Sequence, residues 1–147
     1  MMYLPICIRS DGMKCLVVGG GRVARRKVDL LLRFNCRVTV LAPELCEPLL
    51  EMHTGGKLEW LPRGYRTGDA ASFDLVIGAT PHRDVNRAVA AEARGGGIPV
   101  NVVDDPELCS FIFPALHRDD DLVVAVSTSG AAPFLARDFR DRIRIMA

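Results

Sequence analysis

Gly19, Gly21 and Ala24 stand at the spacing G-x-G-x-x-A immediately behind the apolar run Leu16-Val17-Val18. Small residues at those three places serve the close approach of backbone to a diphosphate. The first lets the chain turn sharply, the second admits the pyrophosphate against the backbone, and the third lets a helix lie close on the strand. The phosphates then sit at the helix N-terminus, where unpaired N–H groups and the helix dipole favour negative charge. Arg22, Arg25, Arg26 and Lys27 crowd the same first turns. Cations there oppose the dipole by roughly 0.3–1 kcal/mol each, so either an anionic ligand or plain solvation offsets them.

Further candidates follow where other apolar runs end. Asp104 closes the run Val102-Val103 and is the residue expected to move a proton, because a carboxylate held beside a ligand serves as a general base. Asp105-Pro106 reads as a turn, and Asp104 is open to the same reading. Pro43 and Glu44 follow the second apolar run. Glu44 either holds the ribose hydroxyls of a dinucleotide, favouring NAD over NADP, or is an acidic first-turn residue of the next helix. Thr80 follows the small pair Gly78-Ala79 and either lies along the cofactor or caps a helix. His53, His82 and His117 are scattered without metal-ligand spacing, and no metal site is expected.

The elements that must position these residues alternate. Strands are predicted over 14–18, 37–41, 58–61, 75–79 and 100–103. Helices are predicted over 23–34, from behind Pro43 to about 53, and from Thr80 to about 94 with Pro81 in its first position. Ala24, Val28, Leu31 and Leu32 recur at i, i+4, i+7 and i+8, one face of a helix. This is the βαβ pattern of an α/β, Rossmann-like parallel sheet, whose ligands bind outside the carboxyl ends of the strands. Beyond residue 110 the pattern changes to strands at 111–113 and 122–126, expected to pair antiparallel, and a helix over 132–145. The expected domains are therefore a dinucleotide-binding unit over 1–110 and a small strand-and-helix extension over 111–147, used for association.

A chain of 147 residues, 49% hydrophobic and 25% charged, supports one core and a small appendage. A formal net charge of +1 supplies no field for a nucleic-acid partner. No apolar run approaches the ~20 residues that cross a bilayer, and residues 1–10 lack a signal-peptide pattern, so no membrane is expected. Five cysteines without C-x-x-C spacing, with Cys15 and Cys36 beside predicted strands, fit a reducing cytoplasm and small core residues better than zinc.

Taken in order, Leu4-Pro5-Ile6, the segment Val17-Val18-Gly19-Gly20-Gly21-Arg22-Val23-Ala24-Arg25-Arg26-Lys27, Ala79-Thr80, Asn101-Val102-Val103-Asp104-Asp105-Pro106, Cys109-Ser110-Phe111-Ile112-Phe113-Pro114 and Val124-Ala125-Val126-Ser127-Thr128-Ser129-Gly130-Ala131-Ala132-Pro133 strongly resemble one family. It is the precorrin-2 dehydrogenase/sirohydrochlorin ferrochelatase family, the N-terminal module of siroheme synthases. The resemblance implies NAD-dependent oxidation of precorrin-2 to sirohydrochlorin, and in many members insertion of ferrous iron as a second substrate. It implies a role for Asp104 in both steps and cofactor contacts at Arg22, Val23, Pro43 and Glu44, beside Gly19, Gly21 and Thr80. Tetrapyrrole contacts are implied at Asn101, at Ser127, Thr128, Ser129 and Gly130, and at Arg137 on the following helix. A homodimer built by the segment from Phe111 onward is implied as well. Members continue into a helical region beyond the point where this chain stops at Ala147, and some carry serine where Thr128 stands. The alternative reading is a non-catalytic NAD- or tetrapyrrole-binding module.

Overall fold

The computed structural model describes residues 2–146 and divides the chain into two units, Cys7–Ser110 and a second made of Met1–Ile6 with Phe111–Ala147. In the first unit, β1 (Lys14–Val18), α1 (Arg22–Arg33), β2 (Arg37–Leu41), α2 (Glu47–Thr54), β3 (Glu59–Leu61), β4 (Leu75–Gly78), α3 (Arg83–Gly95) and β5 (Val100–Val102) follow one another. All five strands are parallel, in the order β3-β2-β1-β4-β5. The order reverses at β1, which is the switch point where such sheets bind ligands.

Both faces of the sheet are covered, so its central strands are apolar throughout rather than alternating. Leu16, Val18, Val76, Val100 and Val102 pack with Val89, Ala90 and Ala93 of α3. Successive side chains alternate across a strand. Val17, Ile77 and Asn101 therefore belong to the opposite face, the one α1 covers with Ala24, Val28 and Leu31. Cys15 and Cys36 are buried thiols, and burial raises the pKa of both.

Two boundaries depart from expectation. α3 begins at Arg83 behind an N-cap at His82, not at Pro81. The reason is local: the Thr80 hydroxyl accepts the His82 N–H at 3.1 Å, a turn that holds Pro81 outside the helix. Residues 111–113 form no strand. Pro114 has no N–H for a ladder, Phe111 and Phe113 meet edge to face at 5.1 Å, and the strand starts behind the proline. The second unit is instead a hairpin of β6 (Ala115–Asp119) and β7 (Leu122–Val126) with α4 (Pro133–Met146) packed on it. A third departure concerns residues 2–6, which group with this unit rather than with the parallel sheet, having no strand of their own in that sheet.

Candidate functional site

β1 delivers the chain into the glycine turn at the carboxyl edge of the sheet, and the three glycines there do different work. Gly19 is buried at φ +129, and a Cβ on it would overlap the Ala79 carbonyl, whose carbon lies 2.7 Å away. Only glycine fits there. At Gly20 a Cβ would overlap the Glu44 carbonyl, with its carbon at 3.0 Å, and the Gly20 oxygen accepts the Cys46 N–H at 2.7 Å. Gly20 thus locks the turn to the loop behind β2. Around Gly21 no atom lies within 4 Å of a would-be Cβ. Its lack of a side chain answers no demand of the chain's own packing, and it leaves open the space that a diphosphate needs.

Gly21 is also the N-cap of α1, and no side chain caps the helix. The first turn contains no acidic residue. The free N–H groups and the open space above Gly21 together fit a dinucleotide pyrophosphate. Arg22 and Val23 are exposed on that first turn, Val23 by 42%. Arg25 turns aside to pair with Asp29 at 3.4 Å.

The neighbouring strand ends complete the edge. Pro43 and Glu44 are exposed behind β2, and the Trp60 indole N–H, donating to the Ala42 oxygen at 2.9 Å, holds that corner. Behind β4, the Thr80 hydroxyl donates to Asn86 Oδ1 at 2.8 Å, and the Asn86 amide returns a bond to the Thr80 oxygen at 2.9 Å. Asn86 is 6% exposed and staples the end of β4 to α3. Sequence reading missed it, since an asparagine in a helix gives no signal until its strand partner is known.

Asp104 sits exposed just past β5, at φ +60. A non-glycine residue in that region is uncommon, although aspartate tolerates it better than most. Asp105 beside it is 4.0 Å from Arg83, and the turn Pro106–Leu108 follows. Asn101 is buried in β5, its amide against the Cys109 thiol at 3.5 Å. The same sulfur accepts the Val102 N–H at 3.2 Å, and the Ser110 hydroxyl accepts the Val100 N–H at 2.9 Å. Two side chains thus close the edge strand that no sixth strand covers.

Gly19, Gly21, Arg22, Val23, Pro43, Glu44, Thr80 and Asp104 accordingly share one edge of one sheet, with Asn101 buried beneath it. β1 and β5 are separated by β4 alone, two strand spacings or about 9.6 Å. Ser127, Thr128, Ser129, Gly130 and Arg137 belong to the other unit. There the Ser127 hydroxyl accepts the Ser129 N–H at 3.1 Å, and the Thr128 hydroxyl accepts the Ala132 N–H at 3.0 Å. Ser129 is at φ +53, and Arg137 is exposed one turn into α4. No cluster of His, Cys, Asp and Glu suited to a metal occurs among the described residues.

A parallel sheet reversing at β1, with a glycine cradle at the reversal, defines a Rossmann-type dinucleotide-binding domain. Residues 6–115 match the family model described as putative NAD(P)-binding, and the chain belongs to that family. It is similar to the siroheme synthase of Methylococcus capsulatus, at 48% identity over 97% of this chain and 30% of the relative. It is also similar to that of Thioalkalivibrio sulfidiphilus, at 47% over 97% and 29%. The chain thus spans about 30% of the length of these curated relatives. Among solved structures it resembles SirC, a precorrin-2 dehydrogenase, with a TM-score of 0.80 and 25% identity over 99% of this chain and 71% of that one.

Proposed function

We propose that this chain is an NAD-dependent dehydrogenase converting precorrin-2 to sirohydrochlorin in siroheme biosynthesis. The observation that carries the reading is the shared edge: an open cradle at Gly21 and, two strands away, a carboxylate at Asp104 held in an unusual backbone conformation. Likeness along the whole chain to siroheme synthases and to a precorrin-2 dehydrogenase supports the choice of substrate.

The α1 N-terminus and Gly21 hold the pyrophosphate, and Glu44 takes the ribose hydroxyls. Bound NAD supplies a hydride acceptor. Asp104 accepts the proton that leaves the ring as the hydride departs, so each oxidation removes two hydrogens and extends the conjugation. Ser127, Thr128, Ser129, Gly130 and Arg137 form the substrate side, where an arginine suits a carboxylate-rich macrocycle. Asp104 would also accept pyrrole protons if ferrous iron is inserted as a second substrate.

The extension serves association between two copies. Phe134, Phe139 and Ile145 on α4 are 71%, 49% and 81% exposed, and Leu122 and Val123 on β7 are 47% and 46% exposed. Apolar surface of this extent is what an interface covers. Sedimentation of a monomer at micromolar concentration would overturn the homodimer. No helix among the described residues is long and apolar enough to cross a membrane, and all five cysteines are free, which suits a reducing cytoplasm.

The test of the catalytic reading is an anaerobic absorbance time course of precorrin-2 with the protein, with and without NAD. Sirohydrochlorin and NADH appearing together in equal proportion support it. Conversion no faster than the spontaneous background overturns it.

A further inference from the structure

Behind β5 the chain turns through Val103, Asp104 and Asp105 and comes back beside the strand at Cys109 and Ser110. β5 is an edge strand, so the peptide groups of Val100 and Val102 that face away from β4 need partners outside the sheet. Ser110 serves Val100. Its backbone N–H donates to the Val100 oxygen at 2.8 Å, and its hydroxyl accepts the Val100 N–H at 2.9 Å. Cys109 serves Val102, and does so through its side chain. The sulfur accepts the Val102 N–H at 3.2 Å, and the S–H is shared between the Val102 oxygen, 3.2 Å from the sulfur, and the Asp105 oxygen, 3.4 Å from it. The Asn101 amide closes on the same sulfur at 3.5 Å. One thiol thus ties residue 102 to residue 105, and Asp104 lies between them.

Asp104 is the residue of this turn that needs holding. It stands at φ +60, where a non-glycine residue persists only if its surroundings over-determine it. Among the described residues no hydrogen bond reaches Asp104 itself, so its conformation is set from either side. The Val103 N–H donates to the Gly78 oxygen at 3.0 Å, and the Asp105 N–H to the Val102 oxygen at 3.4 Å. The Arg83–Asp105 ion pair is long at 4.0 Å, and the Arg83 side chain is 79% exposed, so it restrains little. The thiol grips both ends of the turn at once. Sulfur bonds weakly at any one contact, but four contacts converge here, and Cys109 is packed with Leu108 against the core beneath.

We propose that Cys109 is a positioning residue for Asp104: its thiol, bonded to Val102 and to Asp105, clasps the turn behind β5 and holds Asp104 in its left-handed conformation at the ligand edge. Cys109 acts through the turn and touches neither cofactor nor substrate. Its consequence for the reaction rests on the reading of Asp104 as the proton acceptor; its hold on the turn does not.

The test has two arms. The first is read by NMR and needs no turnover. In Cys109→Ala the Val102 amide should exchange with solvent about fivefold faster or more, the loss of one hydrogen bond, while the Val100 amide, held by Ser110, keeps its wild-type rate. The strong intraresidue amide–Hα NOE that a positive φ gives Asp104 should weaken. Cys109→Ser, whose hydroxyl also donates and accepts, should restore both. Wild-type exchange and NOE in Cys109→Ala overturn the clasp, whatever the protein catalyses. Exchange that quickens equally at Val100 and Val102 reports a strand fraying as a whole and overturns it too. In the second arm, turnover is compared for Cys109→Ala, Cys109→Ser, Asp104→Asn and the double variant Cys109→Ala/Asp104→Asn, with NAD affinity as the check on folding. Cys109→Ala should lose about tenfold in kcat with KM and NAD affinity preserved, the scale of loss a misplaced catalytic group produces. Cys109→Ser should recover most of it, and the double variant should be no slower than Asp104→Asn alone. Losses that multiply, a loss confined to KM, or a Cys109→Ser as slow as Cys109→Ala overturn the proposal. If the wild type turns nothing over while the exchange and NOE change as expected, the dehydrogenase reading fails and the hold of Cys109 on the turn stands.

Discussion

Replacing the three glycines of the turn by alanine, one at a time, separates cofactor space from folding. At Gly19 the added methyl overlaps the Ala79 carbonyl while the backbone stays at φ +129. Backbone strain of about 1–3 kcal/mol adds to overpacking of about 1–3 kcal/mol, giving about 2–6 kcal/mol of lost stability. In a chain of this length that is a fall in Tm of about 8–16 °C for 4 kcal/mol. Gly20→Ala meets the Glu44 carbonyl without the backbone strain and should cost the overpacking alone, about 1–3 kcal/mol. Gly21→Ala meets nothing within 4 Å and has φ −91, ψ −171, which any residue adopts. It should leave stability unchanged or raised by about 0.4–1 kcal/mol through the unfolded chain. The methyl instead enters the space assigned to the pyrophosphate, and NAD affinity should fall more than tenfold. Urea unfolding and calorimetric NAD titration read the two quantities on the same samples. A Gly21→Ala protein that binds NAD as the wild type does would refute the placement of the cofactor; one as unstable as Gly19→Ala would refute the packing argument.

Three further outcomes follow from the same geometry. Asn86→Ala should cost about 1–3 kcal/mol in urea unfolding, because it removes a buried amide and leaves the half-buried Thr80 groups without the partner that pairs with them. Asp69 accepts two bonds from Arg63 at 2.7 Å, and the guanidinium holds its pKa below the usual carboxylate value. A depressed pKa contributes stability that is complete above about pH 4 and is lost as pH falls through the folded value. Asp69→Asn should therefore be less stable than the wild type at neutral pH, with the gap closing in an acid-unfolding series as pH falls below the usual carboxylate range. Phe139→Glu on α4, 49% exposed in the single chain, should convert a dimer to a monomer in sedimentation without loss of helix content.

The parallel half was readable in the sequence because each βα step is punctuated locally. Val18 runs straight into glycine, Leu41 into Ala42-Pro43, and α3 ends on Gly96 and Gly97, so β1, α1 and β2 fall where periodicity and turn chemistry put them. What was not readable depends on partners distant in the chain. Gly20 occupies a place the fingerprint leaves open, and only the approach of Glu44 makes it obligatory. Asn86 looks like an ordinary helix residue until the end of β4 lies beside it. The apolar trio Phe111-Ile112-Phe113 has the composition of a strand, and Pro114 moves the ladder past it. For the site itself, the glycine loop and the strand ends were legible, since the rule that ligands sit at the carboxyl edge needs only the strand assignments.

The most direct test of the account is an anaerobic single-turnover experiment with precorrin-2 and saturating NAD on the wild type and Asp104→Asn side by side, with the NAD dissociation constant measured for both. The account predicts equal NAD affinity and a conversion rate at least about 100-fold lower in Asp104→Asn, the contribution of a positioned general base. Equal rates in the two proteins would contradict it, leaving the shared edge a place where NAD binds and Asp104 a turn residue.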